Sequence, residues 1–125
     1  MDLADYFKNT KGMGVLATAD GEGVVDTAIY SRPHFMEDGT VAFIMRDRLS
    51  HANLQSNPHA SYLFVEAGQG YRGKRVYLRK VGEEKETERL YALRRRTAPV
   101  DDDPADDPKF LVFFEIERVR PLVGD

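Results

Sequence analysis

Val41-Ala42-Phe43-Ile44-Met45-Arg46-Asp47-Arg48-Leu49-Ser50-His51 joins an apolar strand to the start of a helix through a basic corner. Before it, Ser31-Arg32-Pro33-His34-Phe35 ends an earlier strand and Glu37-Asp38-Gly39-Thr40 makes a turn. After it, a short helix opens at Ser50, Asn57-Pro58 stops it, and Ala60-Ser61-Tyr62-Leu63-Phe64-Val65-Glu66 reads as another strand. A helix start exposes backbone N–H groups and the positive end of the helix dipole. Arginine adds a forked donor suited to phosphate. Arg46 and Arg48 beside a Ser50 N-cap therefore predict an anion pocket for a phosphorylated small molecule, and Ser50 serves both as cap and as hydroxyl donor.

Working outward, Asp2 caps a first helix whose Leu3, Tyr6 and Phe7 share one face. Residues 13–19 form a largely apolar strand, Asp20-Gly21-Glu22-Gly23 a hairpin turn, and residues 24–30 the alternating return strand. Pro33 stops regular pairing. Beyond residue 66, Ala67-Gly68-Gln69-Gly70-Tyr71-Arg72-Gly73 is a glycine-rich loop and residues 74–81 a fifth strand. Residues 83–96 read as a helix, with Glu83, Glu84, Glu86 and Glu88 early and Arg94-Arg95-Arg96 late, matching the dipole at both ends. Residues 100–108 are an acidic, proline-punctuated loop expected to be mobile. Residues 109–119 are the last strand, with Phe110, Val112 and Phe114 on one face and Leu111 and Phe113 on the other.

The expected fold is mainly β: one domain over residues 1–125, a six-stranded split β-barrel with short helices. Strands apolar on both sides do not suit an open sheet with one wet face. A barrel covers the inner face, and a second copy of the chain is the simplest cover for the outer one, which predicts a homodimer.

Composition narrows the function. The chain has 125 residues, 42% hydrophobic and 31% charged, as in an ordinary globular domain. A net charge of −3 argues against a nucleic-acid partner. Without cysteine there is no disulfide, thiol chemistry or zinc–thiolate site. The acidic N-terminal residues do not read as a signal peptide, and no run approaches the ~20 apolar residues of a membrane span, so a cytoplasmic protein without membrane attachment is expected. His34, His51 and His59 lack metal-ligand spacing. His34 reads as a strand-end residue and His51 as a surface residue of the first helical turn. The glycines at 68, 70 and 73 are not followed by Lys-Ser/Thr and do not make a phosphate loop. No nucleophile or acid–base pair stands out, so catalytic residues stay unassigned. A flavin would carry its own redox chemistry.

The order of these pieces resembles the pyridoxamine 5′-phosphate oxidase-like, FMN-binding split-barrel family. The resemblance runs through Gly14-Val15-Leu16-Ala17-Thr18, Ser31-Arg32-Pro33, Asp38-Gly39-Thr40-Val41-Ala42-Phe43, Ser50-His51-Ala52-Asn53-Leu54 and Asn57-Pro58. It implies a homodimer with FMN at the subunit interface. It implies Arg48 and Ser50 as phosphate ligands with Arg46 nearby. Arg32, Pro33, His34 and the Met45 backbone would lie along the isoalloxazine, with Tyr71 and Arg72 supplied by the partner subunit. Where many members carry Ser-Arg-Lys before the helix, this chain reads Arg48-Leu49-Ser50. The implied activity is flavin-dependent oxidoreduction of a small molecule. The alternatives are a non-catalytic flavin-binding or electron-transfer protein, or a split barrel that holds haem or a deazaflavin.

Overall fold

The computed structural model describes residues 2–97 and 108–124, with side chains of residues 95–97 left aside. Elements run α1 (Leu3–Asn9), β1 (Gly12–Ala19), β2 (Val25–Tyr30), β3 (His34–Phe35), β4 (Val41–Arg46), α2 (Leu49–Ser56), β5 (His59–Glu66), β6 (Gly73–Lys85), α3 (Glu88–Thr97) and β7 (Lys109–Pro121). The seven strands of the described residues join one curled antiparallel sheet in the order β2-β1-β5-β6-β7-β4-β3. The fold is the expected split barrel. The seventh strand is the two-residue β3, where His34 and Phe35 pair with Ala42 and Val41 directly after Pro33.

Local chemistry accounts for the early elements. Asp2 accepts the Asp5 N–H at 2.8 Å and caps α1. Asp20 accepts the N–H groups of Glu22 and Val24, and Gly23 supplies the positive φ that closes the β1–β2 hairpin. The barrel interior is aromatic: Phe7, Phe43, Tyr62, Phe64 and Phe114 are buried together with Leu16, Met45, Leu78 and Val112.

Two readings of the second half change. Residues 83–85 are not helical. They extend β6, pairing as Glu83↔Val112, Glu84↔Leu111 and Lys85↔Phe110 after a bulge near Gly82. A full ladder of backbone partners on β7 outweighs the helical preference of a glutamate run. Glu86, with φ 56°, then turns the chain into α3, and its carboxylate accepts the Lys109 N–H and the Tyr91 hydroxyl. The glutamates thus divide between a strand and a helix instead of sharing a helix face.

The second change concerns the outer face of β4 and β7. Phe110, Val112 and Phe114 do face the interior. Leu111, on the opposite face, meets Ala42 and the fully buried Leu90 of α3, with Leu93, Tyr91 and Phe113 packed around them. The chain's own helix covers the face for which a second copy was expected. The 100–108 loop lies outside the described residues apart from Pro108.

Candidate functional site

Among the described residues the sheet does not close on itself: β2 pairs only with β1, and β3 pairs with only Val41 and Ala42 of β4. The stretch of β4 from Phe43 to Arg46 therefore faces β2 across an open seam, and α2 bridges the two. Its middle is pinned by Asn53, whose Nδ2 donates to Thr18 Oγ1 at 3.0 Å inside the core. Its end is pinned by Asn57 Nδ2, which donates to the Asp20 carbonyl.

The seam holds an open groove of about 510 Å³, lined from β2 by Asp26, Ala28, Ile29 and Tyr30 and by Ser31 after it. Ile44, Arg46, Arg48, Leu49 and Ser50 complete it. That volume lies within the range of small-molecule sites. One end is the start of α2. The first i→i−4 bond of this helix runs from Ala52 N–H to the Arg48 carbonyl, so the N–H groups of Leu49, Ser50 and His51 precede it. Arg48 is the N-cap residue and makes no side-chain cap bond. Ser50 is not the cap. It sits inside the first turn, buried, with its side chain hydrogen-bonded to Tyr30. Burial pushes the Tyr30 phenol up, the Ser50 contact partly offsets this, and the Asp26 charge adds to it. Tyr62 reaches the same strand end from the core, its hydroxyl donating to the carbonyls of Tyr30 and Ser31.

The nine residues expected at the site separate into groups. Arg46, Arg48 and Ser50 all line the seam groove. Met45 is fully buried and turns its side chain into the core, leaving only its backbone for the seam. Arg32, Pro33 and His34 line a neighbouring depression with Phe7, Lys8 and Leu93. Arg32 Nη1 donates to the carbonyls of Phe7 and Thr10, so this guanidinium closes the C-terminal end of α1. Tyr71, 85% exposed, and Arg72 stand on the β5–β6 turn outside this chain's groove. Tyr30, Ile44 and Asp26 were missed; their signal was the strand period of two, which puts Asp26 on the face of Tyr30 in β2 and Ile44 on the face of Arg46 in β4.

His51 also departs from expectation. It is buried, and its ring stacks on Phe110 with centroids 3.8 Å apart. Its Nε2 is hydrogen-bonded to Glu83, 3.1 Å from Oε1. Lys80 Nζ and Gln55 Nε2 also donate to Glu83. Burial pushes the Glu83 carboxyl up, but the hydrogen bonds from Lys80, Gln55 and His51, with the Lys80 charge, outweigh it and hold it at about 2. The folded value lies below the ordinary 4.5, so the ionised carboxylate stabilises the fold above that pH. The contribution is lost as pH falls toward about 2. Acid melts of Glu83→Gln are expected to lack this part of the slope; an unchanged slope would place the acid sensitivity elsewhere.

No helix among the described residues is long and apolar enough to cross a membrane. No family model and no curated protein matches the sequence. Solved structures do. An FMN-binding protein from Syntrophomonas wolfei superposes with a TM-score of 0.74 at 19% identity, over 97% of this chain and 84% of that one. An F420 reductase gives a TM-score of 0.71 at 16% identity, over 96% and 98%. A candidate pyridoxamine 5′-phosphate oxidase from Listeria innocua gives 0.63 at 17% identity, over 96% and 94%. With the open seam, the bridging helix and the strand order, these likenesses show that the chain has the split-barrel fold of the pyridoxamine 5′-phosphate oxidase-like proteins.

Proposed function

We propose that the chain is a homodimeric flavoprotein that binds FMN in the seam groove and acts on a small molecule. The observation that carries this reading is the donor set. Arg46, Arg48, Ser50 and the start of α2 line the same groove as Ala28, Ile29, Tyr30 and Ile44, with Asp26 as its one carboxylate. Two guanidiniums, a hydroxyl and a helix start beside apolar walls match a molecule that carries both a phosphate and a flat ring. Arg46 and Arg48 would hold the phosphate. Bound FMN supplies the redox chemistry; the protein binds and orients it and limits access to it. Ser31 lines the groove and Arg32 the next depression, which supports placing the ring edge toward Arg32, Pro33 and His34.

The dimer rests on a different face from the one the sequence suggested. Met13, Val25 and Ile29 are 56%, 74% and 66% exposed on adjacent strands, with Val15 paired to Ile29 between them. Such an apolar sheet face suits a second copy, which would also bring in Tyr71 and Arg72. Light scattering is expected to report a dimer at micromolar concentration. Val25→Asp is expected to yield monomers with lower flavin occupancy; a monomeric parent would remove this part of the reading.

Flavin fluorescence on titration tests the whole. FMN is expected to bind at one site per chain, FAD worse, and riboflavin at least about tenfold worse for want of the phosphate. No binding of FMN up to millimolar concentration overturns the reading. The likeness to an F420 reductase favours a second reading, a deazaflavin in the same groove. A deazaflavin that outcompetes FMN would establish it.

A further inference from the structure

His51 belongs to the first turn of α2 by its backbone and to a buried polar cluster by its side chain. It is the third residue of α2, next to Ser50. Its ring lies flat on Phe110 of β7, with Glu83 of β6 at Nε2 and Asp47 of the β4–α2 corner 3.5 Å from Nδ1. Lys80 Nζ donates to Glu83 as well, and Gln55, one turn along α2, donates to Glu83 and to the His51 carbonyl with its amide nitrogen 3.1 Å from His51 Nε2. Lys85 Nζ lies 5.9 Å from the Phe110 ring centre, and Lys109 is its chain neighbour. Arg46 and Arg48 flank Asp47 in the corner.

A carboxylate only accepts, so a neutral ring can serve one of the two: with the proton on Nε2 it donates to Glu83 and leaves Nδ1 an acceptor facing Asp47, and with the proton on Nδ1 it donates to Asp47 and accepts from Gln55 while its Nε2 lone pair faces Glu83. In the imidazolium form both nitrogens donate, one to each carboxylate. The helix dipole opposes a cation at this end of α2, and the two carboxylates counter it. An anion seated on the turn adds to the same side of that balance.

We propose that His51 is a positioning residue that couples proton uptake to anion binding at the first turn of α2. The proton locks the turn to Asp47 and Glu83, and the bound phosphate favours the proton. Linkage makes the effect reciprocal: whatever the proton does for the anion, the anion does for the proton. The physiological anion, a flavin phosphate, rests on the function proposed above; the linkage itself is readable with inorganic phosphate.

The experiment compares FMN affinity at about pH 6 and about pH 8 for the parent, His51→Gln and Asp47→Asn. The phosphate of FMN also titrates here, but equally for all three proteins, so the parent-to-variant ratio isolates the protein. The parent's advantage over His51→Gln is expected to be about fivefold greater at the lower pH. Asp47, with a side chain 58% exposed, allows substitution without disturbing the core, and Asp47→Asn is expected to shrink the pH effect. In parallel, NMR follows the ring carbons of labelled His51 through a pH titration. Saturating inorganic phosphate is expected to move its midpoint upward. A ratio independent of pH with an unmoved midpoint overturns the proposal and leaves the flavin reading intact. A moved midpoint in a protein that takes no FMN overturns the flavin reading and leaves the coupling intact.

Discussion

Arg48→Ala is expected to weaken FMN by about 1.5–3 kcal/mol, roughly ten- to a hundredfold, the range for a hydrogen bond to a charged group. Arg48 stands at the N-cap without a side-chain cap bond, so helix capping does not depend on its guanidinium. The loss should fall on the ligand and not on the cap of α2. Riboflavin separates the possibilities, because it keeps the ring and lacks the phosphate. Its affinity is expected to be the same for parent and variant. An equal loss for riboflavin and FMN would move Arg48 from the phosphate to another part of the ligand. Arg48→Lys should fall between the two, since it keeps the charge and loses the fork.

Gly14→Ala is expected to cost about 2–4 kcal/mol of stability, as overpacking together with a lost buried hydrogen bond. A Cβ at Gly14 would lie 1.9 Å from the Tyr62 hydroxyl oxygen and 2.3 Å from its ring carbon. Tyr62 has little room to yield. It is 1% exposed, packs against Phe43 and Phe7, and donates to the carbonyls of Tyr30 and Ser31. Displacing it releases the strand end that lines the seam, so flavin binding should fall with stability. Gly21→Ala is the control: its Cβ would meet only Ser56, at an ordinary 3.6 Å. Thermal and urea melts of both variants check this. Equal stability of Gly14→Ala and the parent would mean that the β1–β5 pair tolerates what this packing forbids.

The sequence by itself determined the local elements and the order of the pieces. The apolar runs of β1 and β4, the period-two alternation of β2, the Asp2 cap, the Asp20–Gly23 turn and the Asn57-Pro58 stop are short-range chemistry, and each lies where the sequence places it. The basic corner of Arg46 and Arg48 was legible for the same reason, because a strand, two arginines and a helix start are neighbours along the chain. The tertiary structure alone decided what depends on partners distant in sequence. Residues 83–85 became strand because β7, more than twenty residues later, offered them a ladder. Leu111 and Phe113 were apolar on the outer face because α3 lies there. The sequence showed that the face must be covered and carried no sign of what would cover it. His51 looked like a surface residue of a helix start, and its burial follows from Phe110 and Glu83 arriving from two other strands. Ser50 lost the cap and gained Tyr30 by the same cause. Periodicity and caps are set by neighbours a few bonds away, whereas burial and charge pairing are set by the curling of the sheet. That curling brings residues 30, 46, 48 and 50 to one groove and sets residues 32–34 beside it.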